Sequence, residues 1–149
     1  MSTTRDQFQH ASEGETSVVY SDTVIDRAHH PRNLGALEGA NGFARITGPC
    51  GDTMEIWLQV RDSVIHEATF TTDGCGTSIA SGSMVTELAL GKKVREALQI
   101  RQSDVLDALG GLPEDSRHCA FLAANTLGEA IRDYLAFKNE PWKRVYRKD

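Results

Sequence analysis

Three cysteines, an aspartate and a histidine are the residues of this chain whose types and positions suit metal and sulfur chemistry. Cys50 and Asp52 share the motif Pro-Cys-Gly-Asp, Cys75 lies between two glycines, and Cys119 follows His118. Thiolates are preferred ligands of iron-sulfur clusters and of zinc, whereas a carboxylate adds a hard oxygen and an imidazole a nitrogen. The set holds more candidate ligands than a closed four-coordinate site requires, which favours a site that releases its cargo.

Each of these residues also has a plainer interpretation. A single cysteine is most often a small buried hydrophobe, Asp52 could be a turn former, and His118 could be solvated. All three cysteines, however, fall in a loop or at a predicted helix start, and their odd number disfavours a disulfide framework. The remaining histidines have no companions at ligand spacing and are interpreted as structural or solvated; they are His10, His29, His30 and His66.

The predicted positions of two cysteines favour their ionised forms. Cys75 lies just before a predicted helix and Cys119 in the first turn of another. Free backbone N–H groups and the helix dipole stabilise a thiolate there. We therefore expect both thiols to ionise readily, and the thiolate is the form that binds iron and attacks persulfides.

A β-hairpin is predicted between the first two cysteines. Apolar and polar residues alternate over 53–61, a turn follows at 62–63, and 64–72 returns as the partner strand. A shorter strand is predicted before it, over 43–47. In a hairpin with a two-residue turn, facing residues are equally distant from the turn, so we expect Cys50 to face Cys75 and Asp52 to face Asp73.

Five helices are predicted around this sheet. They cover 23–28, capped by Ser21 or Asp22, then 77–90, capped by Thr77 or Ser78, and 92–98, 103–109 and 116–138. On the last helix an apolar stripe with spacing i, i+3, i+4, i+7 begins at Cys119, which predicts that this cysteine is buried. The expected fold is α+β, with a small three-stranded antiparallel sheet packed with about five helices in the order αβββαααα.

Composition bounds the remaining possibilities. The 149 residues suit one domain, predicted over 20–138, with a disordered leader over 1–19 and a basic tail over 139–149. The net charge of −5 and the short basic cluster make nucleic acid an unexpected partner, and no apolar run is long enough to span a membrane. The first 17 residues lack the features of a secretory or transit signal, so a cytoplasmic protein is expected.

Four segments of the chain together resemble one known family, the iron-sulfur cluster assembly scaffolds IscU and the N-terminal domain of NifU. They are YSDTVIDRAHHPRNLG, PCGDTM, TTDGCGTSIASGSMVTELALGKK and LGGLPEDSRHCAFLA, within a match from about Tyr20 to Lys138. The resemblance implies a compact SufE/NifU-like fold. It also implies a site formed by Cys50, Cys75 and Cys119, with Asp52 and His118 as alternative or additional ligands.

The resemblance further implies a function and a set of partners. A cysteine desulfurase would deliver persulfide sulfur to Cys119, and iron with electrons from a ferredoxin or another donor would convert it to a [2Fe-2S] cluster. The cluster would then pass to apo iron-sulfur acceptor proteins, with Asp52 keeping it labile. The sequence leaves open whether one chain or a homodimer holds the cluster, and it does not exclude Zn²⁺ in the site.

Several details depart from the family pattern. The segment Leu-Pro-Pro-Val-Lys, which an Hsp70-type chaperone reads in IscU, is replaced by Leu112-Pro113-Glu114-Asp115-Ser116, so that partnership is in doubt. The related SufU branch relays sulfur with zinc, but it typically lacks the histidine before the last cysteine and carries an insertion between the second and third cysteines. His118 and the 44-residue step from Cys75 to Cys119 therefore favour the scaffold branch.

Two alternatives to a scaffold remain at this stage. One is a zinc-dependent sulfurtransferase that relays persulfide sulfur without building a cluster. The other is a cysteine hydrolase with Cys119 as nucleophile and a histidine as base. The hydrolase is disfavoured because adjacent helical residues such as His118 and Cys119 diverge by about 100° around the axis.

Overall fold

Three strands form where apolar and polar residues alternate. The computed structural model describes residues 19–139, in which β1 covers Gly42–Thr47, β2 covers Thr53–Arg61 and β3 covers Val64–Thr72. They make one antiparallel sheet in the order β1-β2-β3. Along β2 the buried and half-buried residues alternate from Thr53 to Val60, which confirms the predicted half-buried strand.

The register of the β2–β3 hairpin differs from the prediction by one residue. Val60 pairs with Ile65, but Gln59 pairs with Glu67, because His66 bulges out of the ladder. The bulge lets Ile65 and Ala68, which are three residues apart, both reach the core. Beyond it every pairing is shifted, so that Met54 pairs with Thr72.

This shift overturns the predicted juxtapositions at the open end of the hairpin. Extension of the ladder beyond the Met54 pair places Gly74, rather than Asp73, opposite Asp52. Asp73 instead accepts a hydrogen bond from the Thr53 N–H at 2.7 Å. Cys50 lies in a turn outside the ladder and has no strand partner.

The five predicted helices are all present, and the α+β class is confirmed. They are α1 (Asp22–His29), α2 (Gly76–Ala89), α3 (Val94–Ala97), α4 (Gln102–Leu109) and α5 (Arg117–Asn139), the last preceded by a 3₁₀ turn over Glu114–Ser116. Ser21 caps α1, as predicted, because its hydroxyl oxygen accepts the Val24 N–H at 3.0 Å. The same hydroxyl donates to the Leu109 carbonyl, which ties α1 to the end of α4.

Helix α2 lies at the centre of the molecule, with α1, α4, α5 and β3 packed against it. Its small residues make this possible, since ten of its fourteen residues are buried. At Gly82 the helix approaches the fully buried ring of Phe70 so closely that a Cβ there would lie 2.4 Å from a ring carbon.

Helix α5 covers β1 and β2. Its apolar stripe is buried as predicted, from Cys119 through Leu127 to Tyr134. The predicted leader and tail lie outside the described residues, apart from Val19 and Asn139. Among residues 19–139, no helix combines the length and apolar character that a membrane span needs.

Candidate metal and sulfur site

A tight turn between β1 and β2 presents Cys50 and Asp52. The Gly51 N–H donates to the Gly48 carbonyl at 3.0 Å, and the Gly48 N–H donates to the Asp52 carbonyl at 2.8 Å. Gly51 has a φ of 96°, a value that favours glycine. The turn leaves Cys50 exposed, with Asp52 half-buried at its base.

Cys75 is the N-cap residue of α2, which corrects the prediction that Thr77 or Ser78 caps this helix. Its backbone is extended, with φ −83° and ψ −169°, and the helix begins at Gly76. Thr77 and Ser78 therefore lie inside the first turn, where their hydroxyls are free to contact other groups. Cys75 itself is exposed.

His118 and Cys119 lie in the first turn of α5, the first exposed and the second buried with 2% of its surface accessible. Their side chains meet, with the His118 Nε2 atom 3.7 Å from the Cys119 Sγ atom. The predicted divergence of these two neighbours is therefore wrong, because two flexible side chains can converge although their Cα–Cβ directions differ. The buried nucleophile now weighs against a hydrolase more than the angle does.

The five predicted site residues come together at one end of the molecule. The candidate ligand atoms of Cys50, Asp52 and His118 all lie within 4.8 Å of one another, and we call this group the outer trio. Cys75 and Cys119 are not part of the outer trio, but His118 lies beside Cys119 in the contact described above. A sulfur, an oxygen and a nitrogen thus converge at the surface, with a buried thiol behind them.

Two hydroxyls connect these groups. The Thr77 Oγ1 atom lies 3.1 Å from the Cys75 Sγ atom and 3.4 Å from the Cys119 Sγ atom. The Ser78 Oγ atom lies 3.4 Å from the Cys119 Sγ atom, and its hydroxyl donates to Asp52 Oδ2 at 3.0 Å. These contacts link the turn that carries Asp52, the start of α2 and the start of α5.

The electrostatic environment separates the two thiols. Burial opposes ionisation of Cys75, but hydrogen bonds from the Thr77 side chain and from the backbone N–H groups of Thr77 and Ser78 outweigh it and lower the pKa of Cys75. Burial raises the pKa of Cys119, and the Ser78 and Thr77 hydroxyls offset this effect only in part. The expectation of a readily formed thiolate holds for Cys75 and is wrong for Cys119.

Sequence reasoning missed three residues at this site. Thr77 and Ser78 follow Cys75 by two and three positions, so their place in the first turn of a helix was a usable signal. Tyr20 was expected only to open the ordered region, yet burial raises its pKa and the charges of Cys75 and Cys119 add to this effect. Its phenol therefore lies near both thiols, and nothing in the local sequence indicates it.

The donor set fits iron or zinc. Both metals accept thiolate and imidazole ligands, and a carboxylate adds a harder, more exchangeable donor. Cys50, Cys75 and His118 reach solvent, so a metal or cluster can enter from outside.

Comparison with known proteins agrees with the fold and the motifs. The family described as NifU-like N terminal domain matches residues 19–141. The iron-sulfur cluster assembly scaffold protein IscU 1 of Archaeoglobus fulgidus is 47% identical over 118 residues, which are 78% of this chain and 77% of the relative. The protein named iron-sulfur cluster assembly scaffold protein IscU in Escherichia coli (strain K12) is 39% identical over 122 residues, or 78% of this chain and 94% of the relative.

Two solved structures share the fold. The N-terminal part of a NifU-like protein from Brucella abortus superposes with a TM-score of 0.62 at 19% identity, covering 77% of this chain and 93% of that one. A putative scaffold protein for the SUF system from Fervidobacterium islandicum AW-1 superposes with a TM-score of 0.61 at 21% identity, covering 75% and 96%. The fold, the four motifs and the identity to the curated relatives place this chain in the NifU-like N-terminal domain family.

Proposed function

We propose that this protein is a scaffold on which an iron-sulfur cluster is assembled and from which it is released to acceptor proteins. The observation that carries the proposal is the convergence of three thiols with Asp52 and His118 at one end of the fold. Relatives at 47% and 39% identity that are named as scaffold proteins support it. The cluster is cargo, so the site must bind it well enough to build it and weakly enough to give it up.

Sulfur enters as a persulfide from a cysteine desulfurase. The Cys119 sulfur, having lost its proton, attacks the outer sulfur of the desulfurase persulfide; a new S–S bond forms, and the enzyme's S–S bond breaks to leave its thiolate. Two electrons from a ferredoxin or a similar donor then reduce each transferred sulfur to sulfide. Because Cys119 is buried, this step requires its sulfur to become accessible when the desulfurase binds.

Asp52 is the residue that keeps the cluster exchangeable. A carboxylate oxygen is a harder donor than a thiolate and exchanges more readily on iron. Asp52 is half-buried at the base of the turn, where it lies within reach of Cys50 and His118. We infer a [2Fe-2S] cluster as the product, held by the cysteines with Asp52 or His118.

Anaerobic incubation with iron, cysteine and a desulfurase tests the proposal. The protein should acquire acid-labile sulfide, iron and visible absorption, and Cys50→Ser, Cys75→Ser and Cys119→Ser should each reduce them. Asp52→Ala should build a cluster that transfers more slowly to an acceptor, whereas Asp107→Ala, which changes an exposed carboxylate on α4, should behave as wild type. Failure of the wild-type protein to acquire labile sulfide would refute the proposal.

A zinc-dependent sulfurtransferase is the second candidate. The outer trio favours it, since Cys50, Asp52 and His118 already offer zinc a sulfur, an oxygen and a nitrogen within 4.8 Å. Stoichiometric zinc, stimulation of a desulfurase and no labile sulfide would support this function over the first.

A further inference from the structure

At the start of α2, two buried hydroxyls have candidate ligands as their only hydrogen-bond partners among residues 19–139. Thr77 is 3% exposed and Ser78 is fully buried. Buried hydroxyls normally bond to backbone carbonyls nearby, as Thr126 does with the Leu122 carbonyl at 2.7 Å. The side-chain partners of Thr77 are instead Cys75 and Cys119, and those of Ser78 are Cys119 and Asp52.

The hydrogen atoms available fix the direction of the Ser78 contacts. A serine hydroxyl has one hydrogen, and Ser78 donates it to Asp52 Oδ2. While Cys119 carries its proton, its contact with Ser78 uses the thiol hydrogen, with Cys119 donating to the Ser78 oxygen. One side chain therefore orients both the carboxylate, through Asp52 Oδ2, and the buried sulfur, and no hydrogen bond within the described part of the chain occupies Asp52 Oδ1.

Close packing holds Ser78 in this orientation. A Cβ atom at Gly74 would lie 2.4 Å from the Ser78 Oγ atom and 2.7 Å from Asp52 Oδ2. The glycine lets the β3–α2 connection pass against the serine and the carboxylate, which leaves neither side chain room to turn toward it. A ligand shell of this kind is held by packing as well as by hydrogen bonds.

We propose that Thr77 and Ser78 are positioning residues of the site. Ser78 fixes Asp52 relative to Cys119, and Thr77 fixes Cys119 relative to Cys75. The inference rests on the proposed function only in treating Asp52 and the thiols as ligands. Removal of either hydroxyl should then weaken metal binding although neither residue is itself a ligand.

Binding of Co²⁺ alone to the full-length, metal-free protein tests this directly, because thiolate-to-cobalt charge-transfer absorption reports the ligands without cluster assembly. Thr77→Val and Ser78→Ala should each weaken Co²⁺ binding by about 10-fold or more and alter that absorption. Thr77→Ser keeps the hydroxyl and should restore both. Ser81→Ala is the matched control, since Ser81 is also fully buried on α2 but has no hydrogen-bond partner among the described side chains.

Coupling with Asp52 separates positioning from general packing. If Ser78 acts through the carboxylate, Ser78→Ala should weaken Co²⁺ binding less in an Asp52→Ala background than in wild type. Thermal unfolding identifies any variant that fails to fold. If Ser78→Ala does not fold, the comparison of Co²⁺ binding by Thr77→Val and Thr77→Ser tests the positioning role. If Thr77→Val does not fold, the coupling of Ser78 with Asp52 tests it.

Several results would overturn the inference. They are unchanged Co²⁺ affinity and absorption in the folded Thr77→Val and Ser78→Ala proteins, equal weakening by Ser81→Ala, and absence of Co²⁺ binding by the wild type. A wild-type protein that builds no cluster but shows the expected Co²⁺ pattern would refute the proposed function and leave the positioning role intact. If the wild type builds a cluster but removal of either hydroxyl leaves Co²⁺ binding unchanged, the positioning role would be refuted and the proposed function left intact.

Discussion

Substitution of Gly74 by alanine should disturb the site although it adds only one methyl group. The new Cβ would lie 2.7 Å from the Ser78 Cβ atom, 2.7 Å from Asp52 Oδ2 and 2.4 Å from the Ser78 Oγ atom. Contacts between carbon atoms are optimal at about 3.5–4.0 Å, so one side must move by roughly 1 Å. The Ser78 Cβ atom is fixed to the helix backbone, and therefore Asp52 should be displaced and its hydrogen bond to Ser78 lost.

Two destabilising effects and one stabilising effect determine how far the free energy of unfolding of Gly74→Ala falls. Overpacking typically costs about 1–3 kcal/mol, and the lost hydrogen bond to a half-buried carboxylate adds about 1 kcal/mol. Replacement of glycine restricts the unfolded chain and returns about 0.4–1 kcal/mol. We expect the free energy of unfolding of Gly74→Ala to fall by about 1–3 kcal/mol, and its affinity for Co²⁺ to fall by about 10-fold because Asp52 is displaced.

Urea denaturation and Co²⁺ titration measure the two effects. With a typical urea m-value of about 1–3 kcal/mol/M, the midpoint should fall by roughly 1 M. Gly48→Ala is the control in the neighbouring turn, since a Cβ there meets its neighbours at 3.6–3.8 Å, which is ordinary contact. A Gly74→Ala protein as stable and as strongly metal-binding as Gly48→Ala would show that the packing argument is wrong.

Three further results are expected. At neutral pH the lowered pKa of Cys75 gives it a larger thiolate fraction than Cys119, so peptide mapping after iodoacetamide treatment should find Cys75 alkylated before Cys119; earlier modification of Cys119 would contradict this. Although burial raises the pKa of Glu87, its hydrogen-bonded ion pair with Arg27 lowers it overall, so the stabilisation that Glu87 contributes is lost as pH falls through that lowered pKa. Glu87→Gln should therefore cost about 1–2 kcal/mol in urea denaturation at neutral pH, with the deficit shrinking in acid; a deficit independent of pH would count against the ion pair. Gly82→Ala should lower the free energy of unfolding by about 1–3 kcal/mol because its Cβ would overlap the Phe70 ring, and a more stable protein would refute this.

Periodicity predicted the framework of the fold well, because burial repeats along each element. The ends of β2 and β3 agree with the prediction, since a two-residue turn and the strict alternation along β2 leave little freedom. The apolar stripe of α5 could also be predicted from its spacing, and it correctly indicated that Cys119 is buried. The convergence of the five candidate ligands was expected, although the register argument behind part of it was wrong.

The details that escaped prediction depend on contacts between elements distant in the chain. The thiolate expected at Cys119 was inferred only from the start of its own helix. Burial of the thiol and the charges of Cys75 and Asp52, which lie on other elements, raise the pKa instead. The approach of His118 to Cys119 depends on side-chain torsions that sequence spacing does not contain. Thr77 and Ser78 were read as helix caps because a local pattern cannot show what faces the first turn.

The bulge at His66 makes the register of β3 a determinant of the site. It lies roughly 20 Å along the hairpin from Asp52, at an exposed position where substitutions are ordinarily tolerated. If His66 entered the ladder instead of bulging out of it, the two strands would slide past each other by one residue and bring Asp73, instead of Gly74, opposite Asp52. Two carboxylates would then meet where the structure leaves room for no side chain. A change confined to this surface position, far from the candidate ligands, would thus rearrange the site through the strand register.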